Sequence, residues 1–138
     1  MLMPDLLLDT HVWIWLMNGD ETLSKVARKE IECAWGNGTV GISAISVWEV
    51  GMLEKKQRIL LNKPCLEWIR QALHCGILLL PLTPEIAIES SHLPDYTSGD
   101  PADRIIIATA RIDSRVLVTR DECILAYGLT QRVNTLQA

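Results

Sequence analysis

Three acidic residues stand where short apolar runs or loops meet the starts of helical patterns, and a fourth lies within one. Asp9 closes "DLLLD", Glu49 lies inside "AISVWEVGML", Asp103 sits in "GDPADRIIIATA", and Asp121 follows "RVLVTR". Carboxylates gathered at one place repel one another, and a set of hard oxygen donors suits Mg²⁺ or Mn²⁺ rather than zinc. A divalent ion held by a few carboxylates serves phosphoryl chemistry, where it activates water and neutralises charge developing on the phosphate. A plainer reading competes within "GDPADR": Asp100 as N-cap, Pro101 at the first helical position and Asp103 in the first turn match a helix start.

Glu49 is the most informative of these acids. In a helix its neighbours three and four residues away are Ile45, Ser46, Met52 and Leu53, so its face is largely apolar. An ionised carboxylate directed toward a core is costly unless paired or bound to a cation. No histidine or lysine is obviously placed for it, which leaves a cation shared with Asp9 and Asp103, or an arginine. The hydroxyls of Thr10, Ser46 and Thr119 lie beside the acids, where they either orient carboxylates or cap the adjacent helices.

These acids need elements to position them. "DLLLD" reads as a buried strand of a parallel sheet, "TVGIS", "ILLLPLT" and "RVLVTRD" as the second, third and fourth strands, and "RVNTL" as a possible last edge strand. Between them lie helical patterns: "HVWIWLMNG" with a stop at Gly19, "SKVARKEIECAWGNG" with a Ser24 cap, "AISVWEVGMLEKKQRI" with Ile45, Trp48, Met52 and Leu53 along one face and a basic exposed tail, "KPCLEWIRQALHCG", "PEIAIESSHLP", the "GDPADR" helix and "ECILAYG". Strands alternating with helices predict a three-layer α/β/α fold with a central, mainly parallel sheet. In such sheets sites form beyond the carboxyl ends of the strands. Asp9 ends the first strand, Asp121 the fourth, and Asp103 heads the helix leading down to that fourth strand, so one end of the sheet gathers all three.

The bulk properties agree with one folded domain spanning residues 1–138. Hydrophobic residues make up 49% and charged ones 22%, a globular profile. The net charge of −4 argues against a pure nucleic-acid-binding module, although Lys55, Lys56, Arg58, Arg104, Arg111, Arg115 and Arg120 offer local positive charge. The four cysteines form no C-x-x-C pair and read as buried free thiols. The start "MLMPDLLLD" lacks basic residues and is broken by Pro4 and Asp5, so neither a signal peptide nor a membrane span is expected, and the expected location is cytoplasmic. "WGNGTVG" lacks the lysine of a P-loop. A phospho-acceptor site wants an acid two residues after the first aspartate and a late lysine; His11 holds the first position, and no lysine follows Lys63.

Taken together, "LLLDTHVWIW", "ISAISVWEVGML", "GDPADRIIIATA" and "VLVTRDECILAYG" resemble the four acidic motifs of PIN-domain proteins of the VapC-like toxin branch, in order and separation over nearly the whole chain. "PLTPEIA" and "LPD" are similar to that subgroup as well. The resemblance implies a Mg²⁺- or Mn²⁺-dependent endoribonuclease, restrained by a cognate antitoxin protein and commonly a homodimer. It places Asp9, Glu49, Asp103 and Asp121 on the family's catalytic, metal-holding quartet, with Asp100 as cap first and ligand second. Arg104, Thr119 and Arg120 flank the acids and are the candidates for contact with RNA, surface ion pairing being the alternative for the arginines. Ser98 stands where that branch often carries a histidine before G-D-P.

The implied chemistry is in-line attack of water on an RNA phosphodiester, leaving a 5′-phosphate and a 3′-hydroxyl. The five tryptophans, each in an apolar helical stretch, read as core or interface, with several available to line a groove for a partner or antitoxin helix. Two other readings use the same fold: an RNA-processing nuclease that is not a toxin, and a catalytically idle interaction module.

Overall fold

Three consecutive leucines, Leu6–Leu8, form β1 and are buried on both faces, as a central strand of a parallel sheet requires. Successive side chains of a strand point to opposite faces, and the leucines divide accordingly: Leu6 and Leu8 enter one core, Leu7 the other. The computed structural model describes residues 4–138. Met1, Leu2 and Met3, the first part of the "MLMPDLLLD" reading, lie outside the described residues.

The remaining strands are β2 (Val40–Ser43), β3 (Leu78–Leu80), β4 (Val116–Thr119) and β5 (Thr135–Gln137). They pair in the order β3-β2-β1-β4-β5, every pair parallel. β1 is flanked by β2 and β4, with Leu6 in register with Val40 and with Val116. The chain leaves β1 in one direction through β2 and β3, then crosses back to place β4 on the other side. That reversal opens a crevice at the carboxyl ends of β1 and β4.

Among the described residues seven helices cover the sheet: α1 (Thr10–Asn18), α2 (Lys25–Gly36), α3 (Ala44–Lys55), α4 (Cys65–His74), α5 (Pro84–Ser91), α6 (Pro101–Ile112) and α7 (Glu122–Leu129). Buried residues of α1, α2 and α4 pack on Leu6, Leu8, Ile42 and Val118; those of α5, α6 and α7 pack with Leu7 and Leu117 on the opposite face. The result is the three-layer α/β/α architecture. Local chemistry sets the helix ends: Gly19 takes the left-handed conformation (φ 63°) that ends α1, and Ser24 caps α2 through a bond from Ala27 N.

Three expectations are revised. β5 spans Thr135–Gln137 rather than 132–136; Val133 turns instead into the second core. The cysteines are free, but Cys33, Cys75 and Cys123 are exposed and Cys65 is half-buried. In α3 the buried residues are Ser46 and Val50, while Trp48 is 58% exposed. This helix is apolar almost all round and touches both cores, Ile45 on one side and Val47 and Leu53 on the other. Its periodicity therefore did not select the packed face, and Glu49 points into the crevice rather than toward a core. Among the described residues no helix is long and apolar enough to cross a membrane.

Candidate active site

Asp9 is the first residue after β1, and its backbone N–H still bonds to Val118 O (3.0 Å) on β4. That places its side chain at the mouth of the crevice, only 9% exposed. Both carboxylate oxygens are engaged. Oδ1 accepts from Thr10 N at 2.8 Å as the cap of α1, and Oδ2 accepts from Thr119 Oγ1 at 2.7 Å. Burial nevertheless pushes the Asp9 carboxyl above its usual range, against the lowering effect of these two bonds. Thr119 Oγ1 also accepts from Asp121 N at 3.0 Å, so one hydroxyl at the end of β4 ties two of the acids together.

Glu49 is held by a different threonine. Thr10 Oγ1 donates to Glu49 Oε1 at 2.5 Å and lies 2.8 Å from Ser46 Oγ. A threonine hydroxyl carries one proton; with that proton on Glu49, Ser46 donates to Thr10. The relay Ser46 to Thr10 to Glu49 aims the carboxylate without supplying any positive charge. Burial raises the Glu49 carboxyl, and the charges of Asp9 and Asp100 add to the effect.

Asp100 and Asp121 both use Oδ1 to cap helices. Asp100 accepts from Ala102 N (2.9 Å) and Asp103 N (3.2 Å), and Asp121 accepts from Ile124 N (3.0 Å). The capping reading of "GDPADR" is therefore realised for Asp100. Asp103 lies in the first turn of α6, beside the Asp100 cap. All five acids line one hollow of about 350 Å³, with His11, Trp15 and Arg120 at its wall. Burial pushes Asp103 up to about 7, reinforced by Asp100, Asp9, Asp121 and Glu49 in that order.

Four negative neighbours acting on one carboxyl measure how closely the acids are gathered. Among the described residues the ion pairs are Arg111 with Glu89 and Arg132 with Asp95, both away from the hollow. The donor set is carboxylate oxygen without thiolate, the chemistry of Mg²⁺ and Mn²⁺. The N-termini of α1, α6 and α7 meet here and offset only part of this charge. Among the described residues no three acidic, histidine or cysteine side chains already enclose a single point at ligand spacing. On donor chemistry and uncompensated charge, the residues fit a divalent cation.

The flanking candidates divide. Thr119 is 0% exposed and its hydroxyl is committed to Asp9 and Asp121, which closes it to contact with a substrate and makes it a positioning residue. Arg104 is spent within the fold: Nε donates to Ser90 O, Nη1 to Tyr96 O and Ser98 O, and the guanidinium lies over the Tyr96 ring at 5.7 Å. Arg120 is as fully engaged, lying over Trp15 at 4.8 Å and donating from Nε and Nη2 to Ala138 O and from Nη2 to Thr22 O, but unlike Arg104 it forms part of the wall of the hollow. Of the two roles the sequence offers for Thr10 and Ser46, orienting a carboxylate or capping a helix, the structure realises the first, since Asp9 and Ser43 cap the adjacent helices. Their link to Glu49, across 39 residues in the case of Thr10, has no local signal.

A wholly parallel α/β/α domain with carboxylates collected at its switch point defines a recognised class. The PIN domain family model matches residues 6–128, and the chain belongs to the PIN-domain family. Within it the chain is VapC-like: it is 38% identical over 119 residues to Ribonuclease VapC22 of Mycobacterium tuberculosis, covering 86% of this chain and 88% of that protein. A toxin-antitoxin complex from Klebsiella pneumoniae is similar in structure, with a TM-score of 0.60 at 28% identity over 84% of this chain and 86% of that one. The fold is also that of VapBC2 from Rickettsia felis, solved bound to a promoter DNA fragment, with a TM-score of 0.70 at 13% identity over 96% and 97% of the two chains.

Proposed function

We propose that the chain is a Mg²⁺- or Mn²⁺-dependent endoribonuclease, the toxin of a type II toxin-antitoxin pair. It acts in the cytoplasm as a homodimer and is restrained by its cognate antitoxin. The observation that carries the catalytic reading is the gathering of five carboxylates, Asp9, Glu49, Asp100, Asp103 and Asp121, in one hollow with no ion-pair partner among the described residues. Similarity to a ribonuclease and to a toxin-antitoxin complex supports the substrate class and the partner.

Asp9, Glu49 and Asp103, helped by Asp121, hold the cation, and Asp100 caps α6 beside them. A bound divalent ion supplies positive charge to phosphate oxygens and lowers the pKa of water. The chain's own residues do the rest. Thr119 and the Ser46–Thr10 relay fix the carboxylate orientations in advance, so little reorganisation accompanies the reaction. Water attacks phosphorus in line; the bond to the 3′-oxygen breaks, leaving a 3′-hydroxyl and a 5′-phosphate. Arg120, stacked on Trp15, is the cation of this chain best placed at the hollow to meet the RNA backbone.

The deciding experiment is cleavage of a labelled RNA panel by antitoxin-free protein in Mg²⁺ or Mn²⁺, with EDTA and Asp103→Ala controls. Cleavage lost in both controls is expected. Cleavage that persists in EDTA would sink the metal dependence. Metal-binding protein that cleaves no RNA of the panel would favour the idle interaction module.

A further inference from the structure

The feature left unused by this reading is the surface that α3 turns outward. Next to the acid hollow lies a second groove of about 520 Å³, floored by Ile45, Met52 and Leu53, with the exposed Trp48 on its wall. Its two ends differ in charge. One end is Glu49 and Asp100, shared with the hollow; the other is Lys56 and Arg58. Lys56 is seven residues from Glu49, two helical turns, so basic and acidic ends are separated by about 10 Å along the α3 axis.

We propose that this groove is a nucleotide subsite, in which a base of single-stranded RNA flanking the cleaved bond stacks on Trp48 while its phosphate meets Lys56 and Arg58. The inference rests on the ribonuclease reading and deepens it. A strand whose reacting phosphate lies at the carboxylates runs naturally along the contiguous groove. The same groove holds an exposed aromatic side chain and, two helical turns beyond Glu49, positive charge. A flat exposed indole suits any base, because every base has a π-face, and the basic pair supplies attraction that the acidic end cannot. Trp48 is ill suited to a purely structural role: it is 58% exposed, while its helix is anchored through Ser46 and Val50.

The test is anisotropy of a labelled, mixed-sequence single-stranded RNA titrated with the full-length protein in Ca²⁺, alongside kcat and KM for RNA cleavage in Mg²⁺. Trp48→Ala is expected to weaken binding about ten-fold and to raise KM more than it lowers kcat, whereas Trp48→Tyr keeps most of the affinity. Lys56→Ala with Arg58→Ala is expected to reduce the slope of log K against log salt by about one to two. Equal RNA affinity in wild type and Trp48→Ala overturns the subsite and leaves the ribonuclease reading standing. Wild-type protein that neither binds nor cleaves RNA overturns both. A Trp48→Ala variant that keeps RNA affinity but loses self-association or a protein partner also overturns the subsite, and makes the groove a protein interface.

Discussion

Thr119 and Asp9 lie 110 residues apart and are joined by one short bond, Thr119 Oγ1 to Asp9 Oδ2 at 2.7 Å. The bond is possible because β1 and β4 run parallel with Leu8 opposite Val118, which brings the residues just beyond each strand level with one another. The same hydroxyl receives Asp121 N. A single β4 residue therefore orients one acid by its proton and positions another by its lone pair.

Replacing Thr119 with Val keeps the shape and removes both bonds. The Asp9 carboxylate loses its side-chain donor, so its pKa rises further above the usual range. Mg²⁺ or Mn²⁺ affinity is expected to fall about 10- to 100-fold, the usual effect of losing a group that orients a ligand, and Thr119→Ser is expected to restore most of it. Isothermal titration with Mn²⁺ distinguishes this outcome from unchanged affinity, which would show that Thr119 is only structural.

Thr10 offers the parallel experiment on Glu49. Thr10→Val breaks the Ser46–Thr10–Glu49 relay, and loss of a hydrogen bond to a charged group costs about 1.5–3 kcal/mol. Glu49→Gln keeps an acceptor for Thr10 while removing the charge, so it is expected to fold at least as stably as wild type and to bind the cation weakly. Urea unfolding paired with Mn²⁺ titration separates the two effects.

Asp103 makes stability depend on pH in the absence of metal. Its folded pKa of about 7 lies above its ordinary value of 3.8, so the folded state favours the protonated form. This stabilisation is complete below about pH 4 and is lost as pH rises through 7. The metal-free protein should melt at progressively lower temperature across that window. Asp103→Asn, which mimics the neutral form, should remove much of the slope and stabilise the metal-free chain at pH 8 by on the order of 2 kcal/mol after allowance for solvent screening. Mn²⁺ should restore the wild type at high pH and leave the variant nearly unchanged. Thermal melts in EDTA and in Mn²⁺ provide the check; an Asp103→Asn variant less stable than wild type in EDTA at pH 8 would reverse the argument.

Gly128 tests the fold away from the site. A Cβ there would overlap the Thr135 side chain on β5. Alanine gains about 1 kcal/mol of intrinsic helix propensity over glycine, yet the overlap forces α7 away from the edge strand. Gly128→Ala is expected to lower stability by about 1–3 kcal/mol, within the range of overpacked sites, as read by urea unfolding. Gly51, where an added Cβ meets nothing within 4 Å, is the control, and Gly51→Ala should be neutral or stabilising.

Much of the architecture was legible because its signals are local. Apolar runs marked β1 to β4, Gly19, Ser24 and Asp100 marked helix ends, and Asp9 and Asp121 marked the strand ends where chemistry gathers. Alternating strands and helices then implied a parallel sheet with its crevice at the strand ends. The rotation of α3 was not legible, since a helix apolar on nearly every side has no preferred face until two cores compete for it. That competition exposed Trp48, buried Ser46 and turned Glu49 into the hollow. The partners of Glu49 and Asp9 were equally hidden: Thr10 and Thr119 reach them across 39 and 110 residues, through strand register and helix packing. Residue type and spacing determined which groups were available for chemistry. Which hydroxyl orients which carboxylate was settled only when the sheet closed and brought distant strand ends within hydrogen-bonding distance.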